Sequence, residues 1–168
     1  QSKDNTLEII QKWHNILVDA DKTFVRTNLK FSWASEKDDG MYDAINRGFA
    51  HLLRQLPDAT PDRVIMGWVN GNDILTQGSI QTVQKFFQET DYQWVTGVPC
   101  QIRSDSATIH LEGEPWGFCS RLLAQGFYDD RHYPFVQQEG TFWRQNLWNV
   151  AGPLNARLQL AADWDLWR

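Results

Sequence analysis

The segment that most limits what this chain can become is VIMGWV, residues 64 to 69, a nearly unbroken apolar run. Pro61-Asp62 precede it and Asn70-Gly71-Asn72-Asp73 follow it. A short run without polar alternation, closed by turn residues at both ends, is the pattern of a strand buried on both faces, so a central strand is expected here. Such a strand needs helices to cover it, and the flanking sequence offers them. TLEIIQKWHNIL has Asn5 and Glu8 at capping-box spacing and places Leu7, Ile10 and Trp13 or Ile16 on one side. Met41 to Arg54 turns Ile45, Phe49, Leu52 and Leu53 to one apolar face, with Gly48 allowing close packing, and Ile80, Val83, Phe86 and Phe87 mark a third helix. FVRTN and KFSWAS read as short strands around a turn, WVTGVPCQI as a further strand, and ATIHL as another. A short helix is expected from Arg121 to Gln125, and helical periodicity resumes over Phe142 to Val150 and from Ala161 onward. Helices alternating with buried strands imply an α/β sandwich whose central sheet is mostly parallel.

Composition narrows the function classes. The chain has 168 residues, 42% of them hydrophobic and 22% charged, and no repeat or linker divides it, so one compact domain over 1–168 is expected. With 16 basic and 21 acidic residues the net charge is -5, the wrong sign for holding a nucleic acid by counterion release. No run approaches the roughly 18 apolar residues of a membrane span, and QSKDNTLEII has neither part of a signal peptide. Cys100 and Cys119, the only cysteines, fit neither a zinc knuckle nor a disulfide framework, which favours a reducing compartment. His14, His51, His110 and His132 show no metal-ligand spacing. The absence of G-x-S-x-G, P-loop and G-x-G-x-x-G patterns removes serine hydrolases, P-loop enzymes and dinucleotide binders.

Three clusters could carry chemistry. Asp73 follows the buried run, where open α/β sheets bind ligands, and with Asn70 and Asn72 it offers hard oxygen donors for a divalent ion. A polar turn with Asp73 capping the next helix accounts for the same residues. S-E-K-D-D-G-M-Y-D-A-I-N-R-G gathers Glu36, Asp38, Asp39, Asp43 and Asn46 around a helix start, a place where acids are favoured electrostatically without any function. Q-Q-E-G-T-F-W-R and A-A-D-W-D-L-W make the third cluster. There Asp163 or Asp165, shielded by Trp164 and Trp167, could have the raised proton affinity of a general base, or could be an exposed acid on an amphipathic helix. Of the nine tryptophans, Trp33, Trp68 and Trp94 are expected in the core, and Trp116, Trp143 and Trp164 as ring platforms lining a pocket.

Taken in order, these segments resemble the family 2 glycosyltransferases of the GT-A fold, especially the bacterial sugar transferases of polysaccharide assembly. S-E-K-D-D-G-M-Y-D-A-I-N-R-G-F is similar to their S-E-x-D-x-G-x-x-D-A-x-N-x-G segment, and W-V-N-G-N-D-I-L-T-Q-G-S-I to their metal-binding loop. Q-E-G-T-F-W-R, A-G-P-L and D-W-D-L-W resemble further motifs at the family's order and spacing. S-K-D-N-T-L-E-I-I resembles the stretch after the family's second strand, which implies a GT-A Rossmann-like sandwich truncated at its N-terminus by one βαβ unit. The resemblance implies that Asp4 approaches the nucleoside, and that Glu36, Asp38, Asp43, Asn46 and Asn72 belong to the donor site. It further implies that Asp73 holds Mg2+ or Mn2+ on the diphosphate, that Asp163 is the catalytic base, and that Glu139, Trp143 and Arg144 meet the acceptor. Asn72 stands where the family has an acid, Ala162 where a Glu is frequent and Asn155 where an Asp is frequent. The first of these takes a negative charge from the metal loop.

The implied activity is inverting transfer of a sugar from a nucleoside diphosphate donor to a hydroxyl of a sugar or lipid-linked sugar acceptor. It implies a cytoplasmic place at the inner face of a membrane, reached by peripheral association that this segment does not itself encode. Asn72, the tryptophan content and the missing first strand also fit a non-catalytic carbohydrate-binding or pseudoenzyme module. A glycoside hydrolase is the more distant alternative, since it needs two carboxylates at a set separation.

Overall fold

The computed structural model describes residues 4–20, 30–98, 100–102, 109–111, 117–131 and 135–168. The chain divides after Gly40 into two compact units, Gln1–Gly40 and Met41–Arg168.

In the first unit, helix α1 (Thr6–Ala20) forms where the capping pattern places it. Asp4 Oδ1 accepts the Thr6 backbone N–H at 3.1 Å as well as the Thr6 hydroxyl, which satisfies donors that a helix start leaves open. These bonds, the hydroxyl's first, hold the Asp4 carboxyl below its ordinary range. Leu7 and Ile10 lie half-buried on the helix, whereas Trp13 is 55% exposed and Ile16 is exposed as well. KFSWAS is not a strand, and Trp33 is exposed rather than in the core. FVRTN lies outside the described residues.

The second unit is built on helices α2 (Met41–Arg54), α3 (Ser79–Glu89), α4 (Ser120–Ala124), α5 (Gln145–Ala151) and α6 (Ala162–Trp167). Its strands are β1 (Ile65–Met66), β2 (Trp94–Thr96), β3 (Cys100–Ile102), β4 (Ile109–Leu111) and β5 (Thr141–Arg144). The expected mostly parallel central sheet of a Rossmann-like fold is overturned. Among the described residues there is a three-stranded sheet in the order β1-β5-β2, antiparallel at both pairings, and a separate antiparallel pair, β3-β4. VIMGWV contributes only Ile65–Met66 to a ladder, at an edge of the sheet, and β5 takes the centre. Because β5 runs against both neighbours, β1 and β2 point the same way, yet they share no ladder.

Two local causes explain the difference. A Cβ at Gly67 would stand 2.7 Å from the Phe142 ring and 3.2 Å from the Thr141 carbonyl oxygen, so the backbone there approaches β5 as only glycine allows. The second cause is that β5 passes into α5 with no intervening turn, so apolar positions counted from Phe142 to Val150 run across a strand–helix boundary and mimic one helix. WVTGVPCQI likewise divides into β2 and β3, with the Gly97 N–H bonding the Gly140 carbonyl at 2.9 Å in the register of the β2–β5 pairing.

Register explains the core. Trp143 pairs with Met66 on one side and Trp94 on the other, so these three share one face of the sheet. That face packs against Phe49 of α2, Trp148 of α5 and Trp167 of α6 through ring contacts of 5.6–6.1 Å to Trp143. The core cluster joins Tyr42, Phe49, Met66, Trp143, Trp148, Leu154 and Ala162, with Trp68, Trp94 and Trp167 packed against it. Arg144 points to the opposite face, where the C-terminal end of α3 lies. A second cluster of Leu123, Tyr128 and Val136 lies around α4.

Candidate functional site

Helix α2 carries two polar side chains one turn apart, Tyr42 and Asn46, and both reach the C-terminal segment. The amide of Asn46 donates to the Leu154 carbonyl at 2.8 Å and accepts the Leu154 N–H at 2.9 Å, so both ends of one side chain hold one residue's backbone. The Tyr42 phenol donates to Asp163 Oδ1 at 3.1 Å. Asp163 sits half-buried in the first turn of α6, directly after the fully buried Ala162, and its Oδ1 also accepts the Trp164 N–H at 2.9 Å. Among the described residues its Oδ2 accepts no hydrogen bond. Burial, then the neighbouring Asp163 charge and hydrogen bond, raises the Tyr42 hydroxyl above its ordinary range, so the phenol keeps its proton and remains a donor.

The turn after β1 meets the loop before β5. Asp73 N–H bonds the Asn70 carbonyl at 3.1 Å, which closes N-G-N-D, and Asn70 Nδ2 donates to Glu139 Oε1 at 3.4 Å. Asp73 is half-buried and Asn72 exposed. Their oxygens are the hard donors that Mg2+ or Mn2+ takes. Among the described residues no group of three His, Cys, Asp or Glu could hold a metal ion. The donor set fits a site in which Asp73 supplies a carboxylate and substrate phosphates and water complete the shell.

Other expected site residues are committed elsewhere. Trp143, expected at the acceptor, is 2% exposed and is the centre of the core. Arg144, also expected there, is 7% exposed and donates to the carbonyls of Asp62, Phe87, Thr90 and Tyr92, with its guanidinium over the Phe87 ring at 5.1 Å. A guanidinium has five N–H donors in a fixed fork. Four bonds to main-chain carbonyls make this one a clamp on α3 and the loops beside it rather than a ligand contact. Asp43 is ion-paired with Arg47 at 2.8 Å along α2. Trp164 is half-buried, with its N–H on the Tyr128 carbonyl at 3.1 Å and the Arg168 guanidinium over its ring. Trp116 lies outside the described residues.

Asp4, Glu36 and Asp38 belong to the first unit. Asp4 serves the start of α1, Glu36 is exposed, and Asp38 Oδ1 accepts the Gly40 N–H at 3.1 Å. In the second unit, three contacts bring expected site residues onto partners far away in sequence: Asn46 on Leu154, Tyr42 on Asp163, and Asn70 on Glu139. Sequence reasoning missed Tyr42. Its spacing of four from Asn46 was the available signal, since residues so spaced share one helix face. Gln138 was also passed over; it is buried, and among the described residues neither end of its amide has a hydrogen-bond partner.

Compared with known proteins, the chain matches no family model, no curated protein and no solved structure. Among the described residues no helix is long and apolar enough to cross a membrane.

Proposed function

We propose that this protein is an inverting glycosyltransferase that moves a sugar from a nucleoside diphosphate donor to a hydroxyl of a sugar or lipid-linked sugar acceptor. The observation that carries the reading is the Asp163 carboxylate, which has one oxygen held by a buried phenol and the other without a protein partner among the described residues. The order of the segments around it, from S-E-K-D-D-G through N-G-N-D to D-W-D-L-W, supports the same activity.

In the proposed step the acceptor oxygen attacks the anomeric carbon and its proton passes to Asp163. The bond from that carbon to the diphosphate oxygen breaks, and the electron pair leaves with the nucleoside diphosphate. One base opposite the leaving group suffices for such a single displacement. Mg2+ or Mn2+ bound with Asp73 would supply charge neutralisation on the departing diphosphate. Glu139, fixed by Asn70, is the acceptor-side residue left once Trp143 and Arg144 are assigned to the core and the clamp.

The test is release of nucleoside diphosphate from UDP- and GDP-hexoses in the presence of Mn2+. Asp163→Asn should lower kcat by about a hundredfold or more while donor affinity stays the same. Asp73→Ala should instead weaken metal-dependent donor binding in calorimetry. Full turnover in Asp163→Asn would end the base assignment.

Asn72, standing where the resembled family has an acid, favours a second reading, a carbohydrate-binding module without catalysis. Oligosaccharide binding that is indifferent to Mn2+, with no binding of the nucleoside diphosphate, would select it.

A further inference from the structure

Both hydrogen bonds on Asp163 fall on the same oxygen. Tyr42 Oη and Trp164 N donate to Oδ1, and Oδ2 has no partner among the described residues. A carboxylate tied through one oxygen has its rotamer fixed and keeps the lone pairs of the other oxygen available to an incoming O–H. The tie is rigid because Tyr42 is 5% exposed and its ring belongs to the core cluster with Phe49, Trp143 and Ala162. One turn along the same helix, Asn46 clamps Leu154. Helix α2 thus anchors Leu154 and Asp163, the two ends of a segment whose residues from Asn155 to Leu160 are exposed.

We propose that Tyr42 is the positioning residue for the Asp163 base, fixing the carboxylate through Oδ1 so that Oδ2 takes the acceptor's proton. This rests on the transferase reading. The phenol keeps its own proton throughout, and α2, through Tyr42 and Asn46, sets where the base stands relative to the core.

Two variants test the proposal. Tyr42→Phe keeps the ring and removes only the donor, so it should lower kcat for transfer from UDP- or GDP-hexoses by roughly tenfold or more, with donor KM unchanged. Phenolate absorbance gives a readout free of turnover. Tyr42 should ionise above the ordinary tyrosine value, and Asp163→Asn should move that ionisation to lower pH. If Asp163→Asn is inactive while Tyr42→Phe keeps its kcat, or if the tyrosine titration ignores Asp163→Asn, the positioning role fails and the transferase reading survives. If the unsubstituted protein transfers no sugar, both fail together.

Discussion

At position 144 the sequence offers a cation beside two aromatic residues, which reads equally as a ligand contact or as a buried clamp. Arg144 is the clamp: its fork takes carbonyls from Asp62, Phe87, Thr90 and Tyr92, groups that would otherwise be left short of donors. Lysine could not reproduce this, because an ammonium is a point charge rather than a planar fork. Arg144→Lys should therefore lower the urea midpoint markedly, and Arg144→Ala should cost roughly 3–5 kcal/mol of stability, the scale of a buried charged network broken on one side. An unchanged midpoint with lost acceptor affinity would return Arg144 to the site. Trp143 carries the same lesson. Its aromatic character was legible, but which surface it faced depended on β5 pairing with Met66 of β1 on one side and Trp94 of β2 on the other, strands that lie far from it in sequence.

Among the elements, α2 was the most legible and does the most for the site. Its bounds, Met41–Arg54, and the burial of Phe49 follow from the period of its apolar residues. Leu52, expected on the apolar face, is exposed, and Tyr42 is buried in addition. Gly48 has nothing within 4 Å of where a Cβ would stand, so the close approach expected of it does not occur. Gly48→Ala should raise stability by about 0.5–1 kcal/mol through helix propensity alone, seen as a higher melting temperature. Asn46→Ala should act oppositely, losing about 1–3 kcal/mol because it strips two bonds from Leu154 in a half-buried setting. Equal melting temperatures for Asn46→Ala and the unsubstituted protein would show that this clamp holds nothing. The strands were less legible. Each has two to four residues, too short a window for alternation to declare itself, and β5 hides behind the helix it feeds.

For the molecule as a whole, the pairing of α2 with α6 makes stability depend on alkaline pH. Tyr42 ionises above the ordinary tyrosine value of 10.0, first because it is buried and then because of the Asp163 charge and hydrogen bond. In the unfolded chain that proton leaves near pH 10, while the folded protein still holds it, so the unfolded state binds fewer protons over that interval. The contribution is complete below about pH 10 and is lost as pH rises through the folded value. Urea unfolding followed from pH 8 to 11 should show a falling midpoint above about pH 10, with the fall reduced in Tyr42→Phe. Sequence by itself determined helices α1 to α4 and α6, the positions of the acids and amides around them, and the excess of negative charge, because capping, periodicity and composition are local quantities. Tertiary structure alone decided that β5 lies between β1 and β2, that Trp143 and Arg144 are interior, and that a tyrosine on α2 meets Asp163. Those outcomes depend on which strand edge and which helix face find each other across long stretches of chain, and local pattern does not encode that choice.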